Sequence, residues 1–386
     1  MKKRIYVVLF IILLSLILIS VRGGKASYCV FYAAVLIPLM SLVYLIRVYL
    51  KFKLYQSIDN KTVVKGDRVN YTFDISNEDI ITYTSIKVEF ETDKTVIDDF
   101  DTDKVYSLLP GQKVSHHTTL YCKYCGQYDI GIKYAGIRDY LNLFLFHYKV
   151  DTMIRVKVLP RIITLDRLSL AFDESDDKVN AVTHGGGQRL DNQMRNYMPG
   201  DSAKMIHYKA SARQNKLFSR QYADEPKRRV RMVLDNYIKS DDELTGIIVR
   251  DKLTEAVLSI AQYYYRNNAG VDIFYDEDGL VCTSVYDKNT FNKFYKICSD
   301  GFKVSKRPFE YMLDTLSPDG RSDYIVLTSN LTDGTFVKCC NLISTGSNVN
   351  ILYVGDDDIS GLSGINQYIR LVKAGLNDEI EGVLTI

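Results

Sequence analysis

The sequence predicts a multi-domain chain: an N-terminal transmembrane helical hairpin, a β-sandwich of immunoglobulin-like size, and an α/β domain with a mostly parallel sheet. Three observations predict it. Two uncharged apolar runs, residues 5–21 and 29–46, fill most of the first fifty positions. Apolar and polar residues then alternate with period two through roughly 54–160. From residue 226 onward, short apolar runs alternate with helical patterns.

The composition sets the outer limits. The chain has 386 residues, 46% hydrophobic and 25% charged, so it has ample apolar material for folded cores. A mean hydropathy of -0.10 is too polar for a many-span transporter, so any membrane part is a small fraction of the chain. The formal net charge is +2, which excludes a polycation built wholly for nucleic acid. Trp is absent, and 29 Tyr and 16 Phe must supply the aromatic packing. Seven Cys is an odd number without a disulfide framework in its spacing, which points to a reducing compartment.

The first run, Ile5 to Val21, contains only Ser15 and Ser20 as polar breaks. As a helix its seventeen residues span about 26 Å, close to the ~30 Å hydrocarbon core. The second run, Cys29 to Ile46, contains Pro38, which a lipid-embedded helix tolerates. Seven residues join the runs, so the helices are antiparallel neighbours. Lys2, Lys3 and Arg4 precede the first run, Arg22 and Lys25 lie in the loop, and Arg47, Lys51 and Lys53 follow the second. This distribution favours both ends on the cytoplasmic side, by a thin margin. A cleaved signal peptide is the rival reading of the first run, but no convincing small-residue cleavage site follows it. The hairpin is assigned to residues 1–53.

Residues 54–160 read as antiparallel strands. Val69, Tyr71, Phe73 and Ile75 alternate with Asn70, Thr72 and Asp74, and Ile86, Val88 and Phe90 alternate with Lys87, Glu89 and Glu91. Turn signals recur at Lys65-Gly66-Asp67, Ser76-Asn77-Glu78, Pro110-Gly111 and Gly126-Gln127. No residue here has a catalytic setting. Cys122 and Cys125 form a lone CxxC, with His116 and His117 the nearest candidates to complete a zinc set.

Residues 226–386 alternate strands and helices. Val230–Leu234, Val271–Tyr275, Tyr324–Thr328 and Val349–Val354 read as strands. Residues 245–266, 288–298 and 332–342 read as helices. Such alternation predicts a parallel sheet wrapped by helices, with any ligand beyond the carboxyl ends of the strands. Those ends carry Asp235, Asp276 and Asp356-Asp357-Asp358.

The connecting segment, 161–225, carries the strongest signal. From Arg195 to Arg231 there are ten Lys or Arg against three acids, a net +7 in a chain whose total is +2. The stretch is either a solvated face or an anion-facing surface. Tyr197, Tyr208, Phe218 and Tyr222 interleave with the basic residues, as in stacking platforms for single-stranded nucleic acid. A membrane tether and a near-neutral total charge argue against nucleic acid as the partner.

The same stretch resembles the motif of the bacterial family called domain of unknown function 58, whose members carry Arg-x-Tyr-x-Pro-Gly-Asp, a basic residue, an Ile, an aromatic and Ser-Ala-Arg. The matching residues are Arg195, Tyr197, Pro199, Gly200, Asp201, Lys204, Ile206, Tyr208, Ser211, Ala212 and Arg213. Lys204 stands where the family usually has Arg, and Tyr208 where it usually has Trp. Gly126-Gln-Tyr128-Asp-Ile130-Gly131 and Arg138-Asp139-Tyr-Leu-Asn-Leu143-Phe144 resemble the family's closing β-domain segment. The resemblance implies a von Willebrand factor A-like second half. It also implies a protein partner, a MoxR-type AAA+ ATPase, in complex assembly or envelope maintenance.

In metal-binding relatives of that fold the first strand ends in Asp-x-Ser-x-Ser, which holds Mg²⁺ through oxygen ligands. Here the stretch is Asp235-Asn236-Tyr237-Ile238-Lys239-Ser240, so Tyr237 and Lys239 occupy the serine positions. A Lys ammonium repels a cation and donates where acceptors are needed. The site at Asp235 is degenerate, and no metal or other cofactor is expected.

Enzyme readings find little support. His184-Gly185-Gly186-Gly187 resembles a lipase oxyanion loop, but a Gly-x-Ser-x-Gly nucleophile turn is missing, and Gly361-Leu-Ser363-Gly364 has the wrong spacing. The sequence lacks a Walker A run and a His-Glu-x-x-His. A hydrolase triad of Asp201, His207 and Ser211 is the alternative inside the motif. The leading expectation is a membrane-anchored, non-enzymatic interaction protein whose motif residues shape a partner-binding element. Binding of anionic lipid or RNA by residues 195–231 is the remaining alternative.

Overall fold

The computed structural model describes every residue except 1, 99–100, 102, 151–152, 173–189, 199–205, 215, 223–228, 240–241, 317–321, 360–368 and 386. The chain forms two compact units, Met1–Arg161 and Ile162–Ile386.

The first unit opens with helices α1 (Lys2–Arg22) and α2 (Lys25–Lys51), joined by a tight turn at Gly23-Gly24. Both glycines have positive φ, 57° and 86°, which residues with a Cβ adopt only at a cost. Both helices are long and apolar enough to cross a membrane, and few of their residues are buried within the protein. Pro38 lies inside α2 without ending it.

The helix α2 outlasts its apolar run and its last three turns pack on the β-domain. Ser41, Leu45 and Val48 are fully buried there, one helical face at spacings of four and three. The β-domain contains β1 (Lys53–Ile58), β2 (Thr62–Val64), β3 (Arg68–Ser76), β4 (Tyr83–Phe90), β5 (Thr95–Asp98) and β6 (Val105–Leu108). It continues with β7 (Lys113–Cys122), β8 (Gly126–Ile130), β9 (Ile132–Arg138), β10 (Leu145–Lys149) and β11 (Ile154–Leu159). Two antiparallel four-stranded sheets, β1-β3-β7-β5 and β10-β9-β4-β6, share one core with a third sheet, β2-β11-β8. The predicted alternation appears as burial: Val69, Tyr71, Phe73 and Ile75 all face inward from β3. With Trp absent, the core sets Phe73 edge-to-face against Phe90 at 5.6 Å and Tyr71 edge-to-face against Phe90 at 5.9 Å.

The second unit begins with residues 162–172, where the Ile163 amide donates to Ser259 Oγ of the long helix and the Ser169 amide to the Leu384 carbonyl near the C-terminus. Ile163, Leu165, Leu168 and Leu170 are all in its core. The motif segment follows as β12 (Leu190–Asn196), α3 (Tyr208–Gln214) and β13 (Phe218–Tyr222). Then come β14 (Arg229–Leu234), α4 (Glu243–Arg266), β15 (Val271–Asp276), β16 (Leu280–Val285), α5 (Lys288–Asp300) and α6 (Phe309–Thr315). The unit closes with β17 (Ser322–Thr328), α7 (Asp333–Ser344), β18 (Val349–Val354), β19 (Ile369–Ala374) and α8 (Ile380–Leu384).

The six strands order as β16-β15-β14-β17-β18-β19. All neighbours are parallel except β16, which folds back on β15 as an antiparallel edge. The turn between them uses Asp278 at φ 59° and Gly279 at φ 159°. Alternate strand residues feed two cores. Met232, Leu234, Ile325 and Leu327 join α4 and α5 on one face. Val233, Tyr324 and Val326 join α6 and α7 on the other. Helix α4 starts cleanly because the Asp242 carboxylate accepts from the amides of Leu244 and Thr245.

Candidate functional site

In the order β16-β15-β14-β17-β18-β19 the chain reverses direction of progress between β14 and β17. Ligands of such sheets bind in the crevice outside the carboxyl ends at this reversal. Asp235 follows β14 and Thr328 ends β17, so the two meet there. Asp235 is only 1% exposed. Its Oδ2 accepts from Thr328 Oγ1 at 2.6 Å and Asn330 Nδ2 at 3.0 Å, and its Oδ1 accepts from the Tyr237 amide at 3.0 Å. Asn330 Nδ2 also donates to the Tyr237 carbonyl at 2.6 Å. Burial pushes the Asp235 carboxyl up to about 6, against the pull of those three donors.

The next strand is stitched to the first. Asn236 Nδ2 donates to the Asp276 carbonyl at 2.6 Å and to the Lys303 carbonyl at 2.8 Å. The Ser305 amide donates to the Asn236 carbonyl at 3.1 Å, and Ser305 Oγ donates to Asp276 Oδ2. The loop 301–308 thereby plugs the crevice. Around Asp235, Asn236, Asp276 and Ser305 a cavity of about 10 Å³ is left, roughly one water in size, and alongside it Asp276, Glu277, Asp278 and the loop Lys303 to Arg307 line a second cavity of about 380 Å³. The third acidic end is also internally engaged: Asp356 Oδ1 accepts from the Leu376 amide at 2.8 Å and Asp357 Oδ2 from the Tyr353 hydroxyl at 2.9 Å.

This geometry does not fit a hard cation. Both Asp235 oxygens face hydrogen-bond donors, and Tyr237 contributes an amide rather than a hydroxyl oxygen. Among the described residues, no three His, Cys, Asp or Glu side chains group to hold a metal. The CxxC is likewise remote from its candidate histidines. Cys122 ends β7 opposite Thr95, whereas His116 lies opposite Phe73 on the same strand. Six residues of extended strand separate them by about 20 Å. His116 stacks on Phe73 at 5.1 Å, and His117 Nδ1 bonds Thr72 Oγ1 at 3.0 Å.

The motif segment is a hairpin closed by a short helix. β12 pairs with β13 through Arg195↔Ser219 and Asn196↔Phe218, and the Tyr197 amide continues the ladder to Leu217 at 2.8 Å. Ile206 bridges Ser219, and the His207 amide bonds the Phe218 carbonyl at 2.8 Å. His207 stands immediately before α3, where its Nδ1 accepts from the Ala210 amide at 3.2 Å. Ser211 Oγ donates to the His207 carbonyl at 3.0 Å and accepts from the Phe218 amide at 2.9 Å. The Ser211 hydroxyl thus ties helix to strand.

Of the predicted motif residues, Ser211 is buried, Ile206 and Tyr197 are half-buried, and Tyr208, Ala212 and Arg213 are exposed. Arg195 is described in its backbone pairing only. Pro199, Gly200, Asp201 and Lys204 lie outside the described residues, as do His184–Gly187 and Gly361–Gly364. Tyr208 and Ala212, and Lys209 and Arg213, are four apart on α3, so they share its outer side. Lys216 and Leu217 extend that exposed surface. A Ser–His nucleophile needs the hydroxyl to donate to the imidazole. Here the hydroxyl donates to a main-chain carbonyl and the imidazole Nδ1 receives an amide proton. Sequence reasoning missed Ser305, Thr328 and Asn330, which hold the sheet ends together. Their only local signals are positions at or just past the end of a strand or inside a loop.

A family model described as "Protein of unknown function DUF58" matches residues 193–287, a span from the motif hairpin through β16. No curated protein matches the sequence. Among solved structures, Salmonella alpha-2-macroglobulin reacted with methylamine is 14% identical with a TM-score of 0.22, over 29% of this chain and 7% of that one. A cohesin module from a Clostridium perfringens family 33 glycoside hydrolase is 13% identical with a TM-score of 0.19, over 28% of this chain and 96% of the module. Proximal thread matrix protein 1 from the mussel byssus, with a zinc-occupied MIDAS motif, is 14% identical with a TM-score of 0.29, over 42% of this chain and 46% of that one. At these scores none of the likenesses supports an assignment of fold or function.

Proposed function

We infer that this chain is a membrane-anchored, non-enzymatic interaction protein of a bacterial cytoplasmic membrane, with both soluble parts on the cytoplasmic side. The observation that carries this reading is the contrast within the second unit. At its sheet end, where ligand chemistry belongs, Asp235 and Asn236 are engaged in internal hydrogen bonds, whereas the motif segment presents Tyr208, Lys209, Ala212 and Arg213 outward. A basic and aromatic helix face of this kind suits an acidic protein surface, with Arg and Tyr as anchors. The strand order, with one antiparallel edge, supports reading the second unit as von Willebrand factor A-like. The two sheets around one core support an immunoglobulin-like β-domain.

The partner we favour is a MoxR-type AAA+ ATPase, in complex assembly or envelope maintenance. It rests on the motif resemblance, alongside the family match to residues 193–287. Cross-linking in native membranes followed by capture of the full chain tests it. The ATPase should be recovered with the unaltered chain and lost with Tyr208→Ala and Arg213→Ala. Recovery unchanged in both variants contradicts the assigned face. Ester or peptide hydrolysis that disappears with Ser211→Ala or His207→Ala would instead establish the hydrolase alternative.

A further inference from the structure

Helix α2 carries two different faces along the same turns. Ser41, Leu45, Val48 and Phe52 pack on the β-domain. Val43, Ile46 and Leu50, on the opposite side at spacings of three and four, are 52%, 43% and 74% exposed. Large apolar side chains lined up on a membrane helix require lipid rather than water. The β-domain therefore grips α2 at a level where the far side of the helix still faces apolar surroundings.

The strand register shows which part of the β-domain lies at that level. β3 ends at Ser76 opposite Lys53 and Lys113, β4 begins at Tyr83 opposite Leu108, and β9 ends at Arg138 opposite Ser85 and Leu145. The connections 77–82, 109–112 and 139–144 hence all emerge at the end where α2 enters. Each carries a large exposed apolar side chain: Ile80 at 79%, Leu109 at 63% and Tyr140 at 46%. The acids at this end are neutralised or sealed. Asp79 pairs with Arg47 at 2.9 Å, Glu78 pairs with Lys53, and Asp139 is fully buried under Ser41. Tyr140 rests edge-on against Tyr44 at 5.4 Å, an aromatic pair of the kind that settles at bilayer interfaces.

We propose that this end of the β-domain is a membrane-contacting surface, with Ile80, Leu109 and Tyr140 seated in the headgroup layer of the bilayer that α1 and α2 cross. The β-domain then sits on the lipid and is held there by α2. The proposal rests on the membrane reading above, and the test separates the two.

A benzophenone amino acid is placed singly at Ile80, Tyr140, Leu39 of α2, and Asp67 at the far end of β3. The full chain is reconstituted in phosphatidylethanolamine–phosphatidylglycerol vesicles, irradiated, and analysed for lipid adducts by mass spectrometry. Adducts at Leu39, Ile80 and Tyr140, with at least tenfold less at Asp67, are expected. Adducts at Leu39 with none at Ile80 and Tyr140 overturn the proposal and leave the membrane reading standing. Absence at Leu39 overturns both. Equal adducts at Asp67 and Tyr140 also overturn it, because the contact would not be confined to one end.

Discussion

Arg47 on α2 and Asp79 on the β3–β4 connection meet as a bidentate pair, Nε to Oδ2 and Nη2 to Oδ1, both at 2.9 Å. Asp79 Oδ1 also accepts from the Ile80 amide at 2.8 Å. The pair couples the end of helix α2 to a turn of the β-domain, and only a planar guanidinium supplies both bonds in that geometry. Arg47→Lys keeps the charge and loses the second bond. Hydrogen exchange should report this: protection of the Ile80 amide falls by about tenfold as the turn opens more often. Unchanged protection would mean that burial of Leu45 and Val48 alone holds the domain on the helix.

The β8–β9 junction is predicted to reject any side chain. Gly131 has φ 109°, and a Cβ there would collide with Gln56 Oε1 and lie 3.1 Å from the Tyr71 hydroxyl. Gln56 cannot swing away freely, because its Oε1 receives the Tyr71 hydroxyl proton and the Ile132 amide at 3.1 Å. Gly131→Ala should destabilise the β-domain by about 1–3 kcal/mol, from strain together with loss of those bonds. Thermal unfolding monitored by near-ultraviolet Tyr signals measures it.

Asp235 makes stability pH-dependent in an unusual direction. Its folded value is raised to about 6 from 3.8, so between those values the folded chain binds the proton and the unfolded chain does not. Stability should therefore fall as pH rises from about 4 to about 6 and then level off, by on the order of 3 kcal/mol. Denaturant titrations across that range should show the decline, and Asp235→Asn should abolish it. Thr328→Val removes a donor to the carboxylate and should raise the midpoint further.

The thiols should divide by burial. Burial lifts Cys339 to about 12 and Cys298 well above its ordinary range; partial burial and the Asp272 carboxylate also raise Cys282, but its side chain stays exposed on the edge strand β16. Iodoacetamide on the native chain should modify Cys282 and spare Cys298 and Cys339 until denaturant is added. Peptide mass spectrometry reads the outcome, and early loss of Cys339 would contradict the packing of α7.

Much of the fold was legible because periodicity reports burial. The alternation Val69, Tyr71, Phe73, Ile75 became one buried face of β3, and the strand expected at Val349–Val354 appears with those bounds. The antiparallel edge β16 was not legible: Leu280–Val285 is only partly buried, so it has little apolar contrast to detect. Residues 162–172 read as part of a connection in the sequence, because Ile163, Leu165, Leu168 and Leu170 enter the core without a regular element to give them a period. At the sheet ends Asp235 was legible from its position after a strand. Its partners Thr328 and Asn330 were not, since they lie 93 and 95 residues away and meet it only through strand pairing. The reading of Tyr237 and Lys239 as unsuited to a cation rested on side-chain chemistry alone. The structure adds that donors already occupy both carboxylate oxygens.

On the function proposed above, a short helical hairpin holds the folded body of this chain on the inner side of a membrane. Exposed Cys282 supplies the direct measurement, with Cys282→Ser as its control. A membrane-impermeant maleimide is applied to sealed right-side-out and inverted vesicles containing the full chain. Labelling of Cys282 confined to inverted vesicles is the predicted result. Labelling in right-side-out vesicles, or release of the chain into solution by an alkaline wash, would contradict the account.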